Sequence, residues 1–362
     1  MREGWKYIKF EDGLETVPKT TKISSSNFLI SGTYPIISQE EAFINGYWNN
    51  AKDVLHINHP IVVFGDHTRI LKYIDFDFVI GADGVKVLSP IKSILPKCLY
   101  YYLKWCKIPS LGYSRHYKLL KELSIPIPPI EEQQRIVTEL DLLSSIIEKQ
   151  KAQLKELDTL AQSIFYDMFG DPVTNEKGWK TELMCIIAPS SEYRGEHTDI
   201  DGKYWLLNLD KVESMTGRVT EKEYFDYKDI GSSTISFDTT NVLYSKLRPY
   251  LNKVVLPNET GYATSELIPL KPNKELLDRC YFANMLRSNE FMTFIKDKVA
   301  GAKMPRVSMS DFKKFLVPLP PLSLQQQFAD KIQSIESQKS AITKSIAETQ
   351  KLFDYTMDKY FG

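Results

Sequence analysis

The chain has 362 residues, 43% of them hydrophobic and 25% charged, with 46 Lys and Arg balancing 46 Asp and Glu. That length suits two or three domains rather than one, and the composition is that of an ordinary folded protein, neither disordered nor fibrous. No apolar run approaches the roughly 18 residues of a membrane span.

The first stretch, residues 1–124, opens on Met1-Arg2-Glu3-Gly4-Trp5-Lys6 without a hydrophobic leader, so a cytoplasmic protein is expected. Short β-type runs follow: Ile61-Val62-Val63-Phe64, Phe76–Ile80 and Val85–Leu88, punctuated by Asn45-Gly46 and Asp83-Gly84. A helical piece is expected around Leu99–Trp105. The segment is basic, with 16 Lys and Arg against 12 Asp and Glu. Its candidate polyanion contacts are Arg69, Lys72, Lys86, Arg115, His116 and Lys118.

Residues 125–170 change character. Pro126, Pro128 and Pro129 disfavour helix before them, and Glu131 and Glu132 suit a helix N-terminus. Ile136, Leu140, Leu143, Ile147, Gln150, Leu154, Leu157, Ala161, Ile164 and Met168 then alternate steps of four and three. That is a heptad seam with a polar break at Gln150. Gly170 followed by Asp171-Pro172 stops it. A helix over 131–168 would be about 57 Å long. Val137, Leu142, Ile146 and Phe165 lie off the seam. They suggest a second stripe for a helix of another subunit, or local core contacts.

Residues 171–316 again look like a mixture of strands and helix, with Thr234–Phe237 as a strand, Thr216-Gly217 as a turn and helical sequence over Leu276–Lys298. Leu243–Lys253 interleaves cations with aromatics. Lys246, Arg248, Tyr250 and Lys253 are candidate DNA contacts, joined by Lys303 and Arg306, because Lys and Arg neutralise phosphates and Arg can read guanine. An ordinary solvated strand face is the competing reading of each.

Residues 317–362 repeat 125–170 at a constant offset of 192, without a gap over 46 positions. Pro318, Pro320, Pro321, Gln325, Gln326, Glu348, Leu352, Phe361 and Gly362 match Pro126, Pro128, Pro129, Gln133, Gln134, Glu156, Leu160, Phe169 and Gly170. Ser323 and Gln326 have capping-box spacing. Phe328, Ile332, Ile335, Ile342 and Ile346 carry the second seam, broken at Lys339. The repeat divides the chain into globule, helix, globule, helix. The expected fold is α+β with a pseudo-twofold repeat, its two long helices pairing as an antiparallel coiled coil. Both globules open on Gly-Trp-Lys (Gly4 and Gly178). Each carries an apolar run leading into basic sequence (Val62–Lys72 and Val242–Lys253), but their interiors diverge.

Catalytic patterns are missing. There is no GxGxxG, no P-loop and no Asn-Pro-Pro-aromatic motif. His56, His59 and His67 lack a Cys or acid to complete a zinc pattern, and His197 is isolated. Cys98, Cys106, Cys185 and Cys280 have neither CxxC nor framework spacing and read as buried free thiols.

Several phrases resemble the specificity subunit of type I restriction–modification systems. They are Tyr34-Pro35-Ile36-Ile37-Ser38-Gln39 with Ile44-Asn45-Gly46-Tyr47, the Leu243–Lys253 stretch, Gly301–Ser308 with Asp311-Phe312, both Pro-Pro-x3-Gln-Gln segments and both Phe-Gly ends. The resemblance implies target-recognition domains at 1–124 and 171–316 and helical regions at 125–170 and 317–362. Each domain would read half of an asymmetric, bipartite double-stranded DNA site. The helices would space the domains and dock two methyltransferase subunits, joined by nuclease/translocase subunits. S-adenosylmethionine, ATP and Mg would belong to those partners, leaving this chain non-catalytic. A type II-like combined modification and cleavage enzyme, or a coiled-coil protein-interaction scaffold, are the alternatives.

Overall fold

The computed structural model describes residues 4–112, 114–300 and 304–362. The chain divides into two compact units, Met1–Gln150 with Lys344–Gly362, and Lys151–Thr343.

In the first unit the strands are β1 (Lys6–Lys9), β2 (Leu14–Glu15), β3 (Tyr34–Ile37), β4 (Gly46–Trp48), β5 (Val54–Leu55), β6 (Ile61–Gly65), β7 (Leu71–Ile74), β8 (Phe78–Ile80), β9 (Val85–Pro90) and β10 (Ser124–Ile127). Helices α1 (Pro96–Trp105) and α2 (Tyr117–Lys121) lie between β9 and β10, and α3 (Ile130–Phe169) follows. One sheet has the order β4-β3-β8-β5, another β2-β9-β6-β7, and β1 pairs with β10. Successive residues of a strand point to opposite faces, and β6 is apolar on both. Ile61 and Val63 join Ile37, Phe78 and Ile80 of the other sheet. Val62 and Phe64 join Leu99, Tyr102 and Leu103 of α1. A strand buried on both sides reads as an unbroken apolar run, which is why this one was legible.

The second unit contains β11 (Lys180–Leu183), α4 (Met184–Ile187), β12 (Lys203–Leu207), β13 (Glu223–Asp226), β14 (Thr234–Phe237), β15 (Val242–Ser245), β16 (Val254–Val255), β17 (Gly261–Thr264) and β18 (Leu267–Leu270). Then come α5 (Arg279–Arg287), α6 (Asn289–Lys296), β19 (Val299–Ala300), β20 (Arg306–Val307), α7 (Met309–Lys313), β21 (Leu316–Leu319) and α8 (Leu322–Phe361). The sheet order β13-β12-β17-β14 repeats β4-β3-β8-β5, and β16-β15-β18 repeats β7-β6-β9. The repetition extends to strand direction: β12 and β17 are parallel, as are β3 and β8. β15 has the two-sided burial of β6, with Leu243 among Trp205, Phe237 and Leu267, and Val242 and Tyr244 against Tyr281, Phe282 and Met285 of α5. The interiors that diverge in sequence share one topology.

The two long helices pair antiparallel within each unit. In the first, Ile136, Leu140, Leu143 and Ile147 are buried with Phe353, Met357 and Tyr360, and Ile346 is partly buried beside them. Gln150 Nε2 donates to Ser345 Oγ at 2.7 Å, and the Tyr360 hydroxyl donates to Glu139. In the second, Ile332, Ile335 and Phe328 pack with Phe165 and Phe169, and Leu157 adds partial cover. Leu154 and Ile342 are half-buried. The Lys339 break is an ion-pair site, its Nζ lying 2.8 Å from Asp158 and 2.9 Å from Glu336. Burial works against the ammonium, but the two carboxylates outweigh it and leave the pKa raised.

Of the two readings open for Phe165, off the heptad seam, the local core contact holds: it is stacked on Tyr281 and edge-on to Phe328. Two expectations change. Ser323 is no cap: α8 starts at Leu322, and the Leu324 and Gln325 amides bond to the Pro321 carbonyl. Cys185 is exposed rather than buried.

The Gln-Gln pairs also divide in two. Gln134 and Gln326 are exposed, whereas Gln133 and Gln325 are buried. Gln133 accepts from the Leu95 amide at 2.7 Å and donates to the Ser93 and Pro128 carbonyls at 2.8 and 2.9 Å. Gln325 makes the same set, to the Asp278 amide at 2.8 Å and the Leu276 and Pro320 carbonyls at 3.0 and 2.7 Å. Each clips the start of a long helix to the backbone leading into α1 or α5.

Candidate nucleic-acid interface

In the second unit β15 ends at Ser245 and the chain turns back at Val254. Pro249, with φ preset by its ring, starts a 3-10 turn over Pro249–Leu251. Arg248 and Asn252 flank that turn, both left-handed at φ 49° and 48°. Few non-glycine residues adopt that conformation, and it concentrates at functional sites. The Arg248 amide donates to the Pro305 carbonyl at 2.8 Å and the Val307 amide to the Lys246 carbonyl at 2.9 Å, so the loop lies against β20. Arg248 and Tyr250 face outward and exposed.

The neighbouring cations differ. Arg306 grips Glu266 through two nitrogens, with Nη2–Oε1 at 2.7 Å. That bond, with the guanidinium charge and Lys246 nearby, overcomes partial burial and holds the Glu266 carboxyl below its usual range. Lys253 turns inward and donates to the Leu209 carbonyl at 2.6 Å, and burial lowers its pKa. It therefore does not present a free charge. Lys303 lies outside the described residues.

The first unit has a matching turn between β6 and β7. Arg69 sits there, exposed and left-handed at φ 64°, with Nη1 on the Ile108 carbonyl at 3.0 Å. Arg115 and Lys118 are exposed close by in sequence to this latched segment. Lys86 lies over the Tyr117 ring, 5.0 Å from its centroid, and 3.8 Å from Asp66. Two candidates fail as contacts. His116 is wholly buried: its backbone amide and Nδ1 both bond to the Asp66 carbonyl at 2.8 Å, and Nε2 accepts from the Leu111 amide. Lys72 is 4% exposed and its ammonium bonds to the Ala42 and Phe43 carbonyls and to Asn45 Oδ1. A side chain whose polar atoms are all engaged inside the fold cannot reach a phosphate. Composition cannot separate these residues from Arg69 and Arg248; burial and internal hydrogen bonds do.

The other singled-out histidines have local partners. His56 bonds to Asp77 and His59 to Ser89, and His197 stacks on Tyr262 with centroids 4.2 Å apart. Among the described residues no three His, Cys, Asp or Glu side chains are placed to hold a metal ion, and no helix is long and apolar enough to cross a membrane.

Two repeats of one two-sheet α+β frame, each with an exposed left-handed arginine on the same strand connection and each clipped to a long helix, make this an internally duplicated protein. Comparison with known proteins gives the family. The sequence model of the type I restriction modification DNA specificity domain matches residues 2–158 and 198–351, and the chain belongs to that family. It is 20% identical to the Escherichia coli type I restriction enzyme EcoR124I/EcoR124II specificity subunit over 95% of this chain and 91% of that one. It is 23% identical to the Escherichia coli EcoDI specificity subunit, but over 37% of this chain and only 30% of the relative. The crystal structure of the type I restriction-modification S subunit from M. genitalium shares its fold, with a TM-score of 0.60 at 14% identity, covering 99% of this chain and 96% of that one.

Proposed function

We propose that this chain is the DNA-reading subunit of a type I complex and binds an asymmetric bipartite site, one half per unit. The carrying observation is the equivalence of Arg69 and Arg248: same strand connection, same left-handed backbone, both exposed, in loops otherwise unlike. One frame with two different reading loops suits two different half-sites. Arginine suits the task because its planar fork matches guanine O6 and N7 and also phosphate. Recognition is this chain's contribution. Methyl transfer belongs to two methyltransferase subunits, which would bring S-adenosylmethionine, and DNA translocation and cleavage to nuclease subunits using ATP and Mg. The setting would be the cytoplasm.

The test is co-expression with a type I methyltransferase subunit from the same source, followed by mapping of methylated adenines. One bipartite motif with unequal halves is expected. Absence of any motif, or a single contiguous one, would defeat the proposal.

A further inference from the structure

The loop that carries Arg248 is held by groups that face away from it. Asn252 is 4% exposed, and its Nδ2 donates to the Arg287 carbonyl at 2.7 Å. That carbonyl is at the end of α5, where backbone acceptors lack helical partners. The Arg287 guanidinium turns to the Val254 carbonyl, immediately after the loop, with Nε at 3.2 Å. The Met215 amide bonds to the Leu251 carbonyl at 2.9 Å. Pro305 and Val307 hold the other end. None of these bonds uses the side chain of Arg248 or Tyr250.

The first unit does the same with other residues. The Asp66 carbonyl takes the His116 amide and Nδ1, Asp66 Oδ1 takes the Tyr117 amide at 2.7 Å, and Thr68 Oγ1 donates to the Gln39 carbonyl at 2.6 Å. The turn so fixed holds Arg69.

We infer that Asn252 with Arg287 in one unit, and His116 with Thr68 in the other, are positioning residues for half-site discrimination. They keep an exposed arginine in a backbone conformation it would otherwise leave. They touch no DNA. This inference rests on the proposed reading of DNA by both units. Nucleic-acid readout needs such a lock because a bidentate contact tolerates little displacement, and a left-handed arginine released from its tethers relaxes to an ordinary conformation.

Asn252→Gly tests this cleanly, because glycine keeps the left-handed φ while deleting the bond. Asn252→Gly, His116→Gln and the double variant are co-expressed with the methyltransferase, and methylated sites are counted genome-wide. Asn252→Gly should lose at least about tenfold of its discrimination at one half of the motif and none at the other. His116→Gln should show the reverse, and the double variant should be relaxed at both. Affinity for non-specific DNA should stay within about twofold, since phosphate contacts survive. If His116→Gln does not fold, Thr68→Val replaces it. Unchanged motifs, equal loss at both halves, or loss at the same half from both variants would overturn the inference. Failure of the wild-type complex to give a bipartite motif would instead overturn the functional reading beneath it.

Discussion

Replacing Gln325 with Ala should be among the more damaging polar substitutions in the chain. Gln325 is 0% exposed and satisfies three backbone groups, the Pro320 carbonyl in a buried bond and the Asp278 amide and Leu276 carbonyl in part-buried ones. Each buried group left without a partner costs about 1–3 kcal/mol. With one or more of the three rescued by water in the space vacated, the expected loss is about 3 kcal/mol. Gln326, next in sequence and exposed, should cost less than about 0.5 kcal/mol when changed to Ala. Gln325→Glu is a sharper probe. Its carboxylate can still accept from Asp278 but repels both carbonyls, so this variant should gain stability on acidification, as a protonated carboxyl donates again. The chain has two units, so one urea midpoint does not define one free energy. The measurement is therefore urea unfolding combined with amide exchange in the first turn of α5, where Cys280 and Tyr281 depend on Asp278. If Gln325→Ala and Gln326→Ala prove equally mild, the clip is an ornament of the fold and the reasoning fails.

Four further outcomes are expected. Phe165→Ala should cost about 3–5 kcal/mol, as the ring is 2% exposed among Phe169, Tyr281 and Phe328, whereas Leu142→Ala, 60% exposed, should cost under about 0.5 in the same unfolding experiment. Burial lowers the Lys72 pKa to about 8, with Glu40 opposing. The folded state therefore binds fewer protons than the unfolded one between about pH 8 and 10.5, and stability should rise with pH across that window; Lys72→Met should flatten the rise in urea midpoints. Arg248→Ala should weaken cognate DNA binding by about 1–3 kcal/mol if it reads a base, and a loss independent of sequence would mark a phosphate contact instead. Inserting four residues beside Gln150 should misalign its bond to Ser345 and impair assembly or change the preferred gap, whereas an unchanged complex and motif would refute the idea that helix register matters.

Much of the frame was legible because its signals are local. Prolines, the Gln pairs and a heptad spacing can be read without knowing what they touch, and they placed the first long helix to within a residue at each end and the second within its repeat. The site was legible only in part. Lys72, His116, Arg69 and Arg248 look alike as polar residues in basic sequence, and their separation depends on carbonyls 27 to 50 positions away. Asn252 and Arg287 escaped notice altogether. One local sign existed: Pro249 followed by Asn252 is turn chemistry, with Asn among the residues that tolerate a left-handed backbone. The partner in α5, 35 positions on, had no sequence signal.

The kept frame and the divergent interiors have a common physical cause. Gln133 and Gln325 bind backbone amides and carbonyls, and nothing else. The loop tethers likewise end on backbone atoms, at Asp66, Val254, Arg287 and Pro305. A backbone group is the same whatever side chain its residue carries. Contacts of this kind specify where the chain must pass without specifying which residues pass there. A domain so held can exchange the exposed residues of its loop while the strand order, the helix clip and the left-handed arginine stay in place. Side-chain-to-side-chain locks would have tied the frame to those residues. Side-chain-to-backbone locks leave the two free to vary separately, as the proposed reading of two unlike half-sites requires.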